Sequence, residues 1–159
     1  MTQHFFAPWS TRLKVMTVAL VLICLVAAYA AKGWGSVVIV AISVVAATFS
    51  IRGYSVMDGR LLIHRLGWST KYDLSRLSCV EASPGATMGS IRAMGIGGLF
   101  GFVGYYHNEI LGTYKAYATN ELNTVILDFG GEKIVVTPDK PAEFAEAVEA
   151  AHTELAPAS

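Results

Sequence analysis

The chain has 159 residues, of which 53% are apolar and only 15% charged, with twelve basic and twelve acidic side chains. That is enough for one domain of ordinary size, and for less once membrane-length segments are set aside. A balance of −4 over residues 53–159 argues against a nucleic-acid partner, and two cysteines, Cys24 and Cys79, supply no disulfide framework.

The first twelve residues carry Phe5, Phe6 and Trp9 and read as a separate N-terminal cytoplasmic segment, 1–12. From Leu13 to Ile51 the only charges are Lys14 and Lys32. A spanning helix needs about 17 to 25 apolar residues. The run therefore predicts a two-helix transmembrane hairpin over 13–51, with helices at about 13–31 and 35–51 turned by Lys32-Gly33-Trp34-Gly35. Residues 1–52 hold four basic side chains and no acid. Arg12, Lys14 and Arg52 flank the spans on one side and Trp34 suits the opposite headgroup layer, so these four are the expected interface anchors. The positive-inside rule then puts both termini in the cytoplasm and the chain in the inner membrane as a multi-pass protein. The competing reading is a signal peptide ending at Ala28-Tyr29-Ala30. A second span following at once favours the hairpin, and Ile23 before Cys24 is too large for lipoprotein processing.

After Arg52 the apolar period changes to two. "YSVMDGRLLIHRLGWSTKYDL" reads as three strands, the first two joined by Asp58-Gly59, a strong hairpin signal. "RLSCVEAS" and "LGTYKAYAT" add strands, and "NTVILDFGGEKIVVTP" is a hairpin tipped by Gly130-Gly131. Six or seven short strands predict an antiparallel sandwich or barrel. The segment 141–155 places Phe144, Val148, Ala151 and Leu155 on one stripe and predicts a terminal helix whose apolar face must lie on the β-structure. Residues 156–159 are a tail, so the β-domain with its helix runs over 52–155.

"GIGGLFGFVGYY", residues 95–106, invites a phosphate-loop reading that its own residues exclude. Phe100 stands where a dinucleotide fingerprint from Gly95 needs glycine, and no Gly-Lys-Ser/Thr follows. It is too short to span a bilayer. What remains is a glycine-punctuated apolar loop whose Leu99, Phe100, Phe102 and Tyr105, with Arg92 before them, either fill the core or dock on the membrane or the two spans. His64, His107 and His152 have no metal-ligand spacing, no nucleophile motif is present, and no metal or cofactor is expected.

The order of short strands and one terminal helix resembles a pleckstrin-homology (PH) domain. Gly101, Gly104, Gly112, Tyr117-Ala118-Thr119 and Thr137-Pro138-Asp139-Lys140-Pro141 with Phe144 look like the bacterial PH-domain proteins that carry such a module on a membrane hairpin. The similarity runs from about Tyr54 to Ala151. It implies a membrane-anchored fold, the helical hairpin plus a mainly-β PH-like sandwich closed by a C-terminal helix. The function expected is a non-catalytic binding or assembly module on the bilayer, engaging a protein partner or itself as a homo-oligomer. The alternative is a regulatory lipid-headgroup or membrane-sensing domain working through loop 95–106. Phosphoinositide-binding PH domains offer a basic cluster in the first hairpin loop, and here that loop is only Asp58-Gly59 with Arg60.

Overall fold

A computed structural model describes residues 3–31, 33–97 and 100–155, with Ile96 described in its backbone alone. Strand β1, Gln3–Phe6, comes first and is followed by helix α1, Thr11–Ala31. Ser10 caps α1, its Oγ accepting from the Leu13 N–H at 3.1 Å. Helix α2, Trp34–Thr48, ends in a tightened turn in which Phe49 N–H donates to the Ala46 carbonyl. The second apolar helix is thus shorter than the expected 35–51, because Ile51 already opens strand β2, Ile51–Met57. Among the described residues α1 alone is long and apolar enough to cross a bilayer.

Strands β3, Arg60–Arg65, and β4, Ser69–Asp73, complete a first sheet in the order β1-β2-β3-β4. Asp58 and Gly59, with φ of 50° and 68°, make the predicted β2–β3 turn, which demands left-handed residues at both central positions. The presence of β1 corrects the reading of residues 1–12 as a separate segment. Phe5 alternates inward with Ala7 and is buried against Phe144, its ring edge-on at 5.1 Å, so the leader belongs to the domain's sheet.

The second sheet contains β5, Cys79–Ala82; β6, Ile91–Gly97; β7, Phe102–Asn108; β8, Gly112–Ala118; β9, Val125–Asp128; and β10, Lys133–Val136. Its order is β5-β9-β10-β8-β7-β6, and β8 pairs with β10 in parallel, where an all-antiparallel sheet was expected. The β9–β10 hairpin tip at Gly130-Gly131 is as predicted, but the hairpin inserts with β10 inward, so the chain from β8 must pass over the sheet end through residues 119–124. The stretch 95–106 is corrected from loop to hairpin: Gly95–Gly97 lies in β6 and Phe102–Tyr106 in β7, facing each other as Gly95↔Gly104 and Gly97↔Phe102. Glycines three apart hid the alternation, because Gly95 and Gly104 take φ of 126° and 140°, a region closed to other residues.

Between the sheets lies a core of Tyr54, Leu61, Ile63, Val125, Leu127, Ile134 and Val136, joined by Phe144 and Val148 of helix α3, Pro141–Leu155. The Tyr54 hydroxyl donates to the Tyr117 carbonyl at 2.6 Å and accepts the Thr137 N–H at 3.2 Å, and burial pushes the phenol up to about 12. A second cluster, Tyr106, Leu111, Tyr114, Ala116, Ile126 and Val135, covers the other face of the six-stranded sheet.

Candidate functional site at the junction of helices and sheets

Three attachments fix the helix pair to the sandwich. The first is the leader between β1 and α1. Phe6 N–H donates to Asp139 Oδ1 at 3.1 Å and Asp139 N–H returns to the Phe6 carbonyl at 2.9 Å. Thr119 Oγ1 donates to the Pro8 carbonyl at 2.9 Å, Ser10 N–H to the Thr119 carbonyl at 3.0 Å, and Thr137 Oγ1 accepts the Thr119 N–H at 2.8 Å. The buried hydroxyls of Thr119 and Thr137 are thereby satisfied. Arg12 adds a pair with Glu121 at 3.1 Å, on an exposed flank where such pairs are worth ~0–1 kcal/mol.

The second attachment is the tip of the β6–β7 hairpin. Phe100 holds φ of 60°, a left-handed conformation that costs a non-glycine residue ~1–3 kcal/mol. Its N–H donates to Thr17 Oγ1 on α1 at 3.2 Å and its ring meets Trp9 edge-on at 6.3 Å. The same ring walls an apolar cleft of about 280 Å³ between α1 and α2, with Val21, Leu25, Val40, Val44 and Ala47. The backbone strain is held in place by these contacts.

The third is the short α2–β2 connection. Phe49 packs edge-on to Trp68 of the β3–β4 turn at 5.0 Å. The Arg65 guanidinium lies 5.8, 5.5 and 5.0 Å from the ring centres of Phe49, Trp68 and Tyr117. Behind it the row continues: the Tyr72 and Tyr117 hydroxyls are 2.8 Å apart, and the Lys115 ammonium sits 5.6 to 5.9 Å from the rings of Tyr72, Tyr105 and Tyr117 and 3.9 Å from Glu132. Burial works against the Lys115 charge, but the Tyr117 and Tyr105 hydroxyls and Glu132 outweigh it and hold the ammonium above its ordinary range. Burial also raises the Tyr72 phenol, reinforced by Tyr117.

On the outer face of the first sheet a polar chain crosses four strands. Ser55 Oγ is 2.6 Å from both His4 Nδ1 and His64 Nε2, and His64 Nδ1 is 2.9 Å from Ser69 Oγ. One hydroxyl proton cannot serve both rings, so at least one of the two imidazoles presents an N–H to Ser55 Oγ. Desolvation, and then the His4 charge, lower the pKa of His64. Its folded pKa thus lies under the unfolded value, so its contribution to stability is complete above pH ~6.5 and is lost as pH falls from there through the folded pKa. Thermal midpoints are expected to decline on the acid side of pH ~6.5, and to decline less steeply in His64→Gln.

Two layered sheets, a helix after the last strand and a β-domain beginning directly behind an apolar helix pair limit the choice of family. A family model described as Bacterial PH domain matches residues 52–152. The chain belongs to the bacterial PH domain family. PH domains are in general non-catalytic binding modules. No curated protein and no solved structure matches the chain. Within this PH domain, the motif residues Thr119, Thr137 and Asp139 grip the leader that runs into α1, although the leader itself lies outside the matched span.

Of the residues expected at the site, Phe100 docks on the helices, whereas Phe102 is half-buried against the second cluster. Tyr105 is exposed beside Lys115, and Arg92 is exposed on β6. Leu99 falls outside the described residues. Arg12, Lys14 and Arg52 are exposed around the helix-proximal end of the domain and Trp34, 86% exposed, is at the far end of α2. His4 and the tyrosine row carry no sign of a site in the sequence, and Arg65 stands there only as one of the basic residues that follow the second apolar run. Only the strand register brings them together, although the basic residue beside Leu66-Gly67-Trp68 is a visible sign.

Proposed function

We infer that the chain is a membrane-anchored PH module whose two apolar helices cross the inner membrane as a hairpin, both termini cytoplasmic. In this reading the domain is held rigidly against the leaflet and engages a protein partner or a second copy. The observation that carries it is the seating of Phe100 against Thr17 and Trp9 and over the α1–α2 cleft, which ties the PH domain to the helix pair itself. Leu13 and Thr17 are buried, so one face of the first turns of α1 lies against the domain, while Val15 and Met16 are exposed on the other and the exposed apolar length is Val15–Ala31, about 26 Å. Helix α2, with 15 residues, offers about 22 Å. The two lengths are close enough for a hairpin, and both fall short of ~30 Å of hydrocarbon, a mismatch that local thinning or self-association relieves.

The surface offered to a partner is the outer edge of β6, seven residues long, with Ile91 and Met94 74% and 71% exposed. An open edge with apolar side chains takes up another strand by main-chain pairing. A photo-crosslinker at Met94 in membranes is expected to yield an adduct with a partner or a second copy, and one at Lys71, on the exposed edge strand β4, is not. Equal labelling from both positions, or none from Met94, overturns the edge assignment. Phe100→Ser is expected to leave the fold intact while freeing the hairpin tip, raising amide exchange at residues 100–102 by about 10- to 100-fold, the equivalent of one lost phenyl burial. With Phe100 engaged in this way, the ring serves coupling in place of headgroup capture.

A further inference from the structure

We propose that Arg65, framed by Phe49, Trp68 and Tyr117, is the binding site for the phosphate of an anionic phospholipid in the leaflet beside the end of α2. The proposal rests on the membrane reading above. Register fixes the level: Arg65 pairs with Ile51, the first residue of β2, three positions after the last residue of α2. Because α2 is short, a bilayer that keeps Trp34 at its far interface draws Phe49 and Trp68 into the near headgroup layer. Trp68 and Leu66 are 43% and 48% exposed there, in the amphipathic arrangement expected of interfacial side chains.

The guanidinium at this level lacks a counter-charge. None of the ion pairs among the described residues includes Arg65, and its Nε is buried with no hydrogen-bond partner. Three aromatic faces frame the planar group without neutralising it, and Arg65 as a whole is half-buried. Arginine's fixed fork of donors matches a phosphate, and a charge-assisted bond made beside low-dielectric rings is strong. Arg52, exposed one residue after Ile51, adds positive potential at the same end. The cage is built from the α2–β2 connection, the β3–β4 turn and β8, and none of its residues belongs to the glycine-rich hairpin tip that docks on the helices.

The test uses the full chain with Trp9→Phe and Trp34→Tyr, which keeps an amphipathic ring at the far interface and leaves Trp68 as the single tryptophan, in phosphatidylcholine vesicles. A small equal fraction of either brominated phosphatidylglycerol or brominated phosphatidylcholine is then added. Quenching of Trp68 is expected to report about fivefold enrichment of the anionic lipid, falling to near unity in Arg65→Gln. Arg65→Lys is expected to keep less than half of it, because an ammonium keeps the charge but loses the fork. Near-UV circular dichroism checks folding, and Arg65→Lys carries the test if the glutamine variant unfolds. Equal quenching by both lipids, or enrichment that survives in both variants, overturns the site while leaving the membrane reading in place. No quenching by either lipid overturns the membrane reading and the site with it. Loss of the enrichment on adding millimolar inorganic phosphate at constant ionic strength overturns the lipid assignment in favour of a soluble anion.

Discussion

Gly104→Ala is expected to destabilise the domain by about 2 to 6 kcal/mol, the sum of backbone strain and overpacking. A Cβ at this position would stand 2.2 Å from the Met94 carbonyl oxygen and 2.6 Å from Gly95 Cα, and both obstacles are backbone. Moving them means separating β6 from β7, because Gly95 and Gly104 are direct cross-strand partners. The φ of 140° at Gly104 adds a second penalty that no side-chain rearrangement relieves. Denaturant unfolding of the full chain in detergent, followed in the near-UV, measures the loss. A variant within about 1 kcal/mol of the parent would mean that the two strands do not approach as described. The same change is expected to release Phe100 from Thr17, since the hairpin tip is aimed by the pairing beneath it.

Phe144→Ala is expected to cost about 3 to 5 kcal/mol, the usual range for truncating a fully buried phenyl. Phe144 is completely enclosed and meets Phe5 edge-on at 5.1 Å and Tyr54 at 6.0 Å. The cavity left behind lies between helix α3, the leader strand and the second strand at once, so the sheet cannot collapse around it from one side. Phe144→Leu, which keeps most of the volume, is expected to recover more than half of the loss. Equal midpoints for parent and alanine variant in thermal unfolding would remove α3 from the core. Because Phe5 leans on this ring, the alanine variant is also expected to expose β1 to protease before the rest of the first sheet.

The two substitutions probe different kinds of information. Phe144 is legible as one position of a stripe with Val148, Ala151 and Leu155, and the stripe must face something apolar. Asp58-Gly59 and Gly130-Gly131 are legible too, because a tight turn between alternating runs admits few residue types. The glycine-rich stretch is the opposite case. Its residues exclude a phosphate loop and a membrane span, yet whether they form a hairpin or a loop depends on Gly95 meeting Gly104, a pairing invisible to local periodicity. The leader strand escaped for a related reason: four residues, Gln3–Phe6, carry too short a pattern, and only β2 makes them a strand.

The sequence by itself determined the two apolar helices, the turn to strands after Arg52, the terminal helix and the family resemblance. Each of these is written in composition, in a local period or in residues at fixed spacing, and local rules suffice to read them. Tertiary structure alone decided that the leader joins the first sheet, that β8 runs parallel to β10 and that Phe100 belongs to the helices while Phe102 belongs to the domain. It also gathered Phe49, the Arg65–Trp68 turn and Tyr117 from three separate segments. The physical reason is the same in each case: these contacts join residues far apart in the chain, and their energy depends on strand register and on the covering of one element by another. Neither leaves a mark at any one position in the chain.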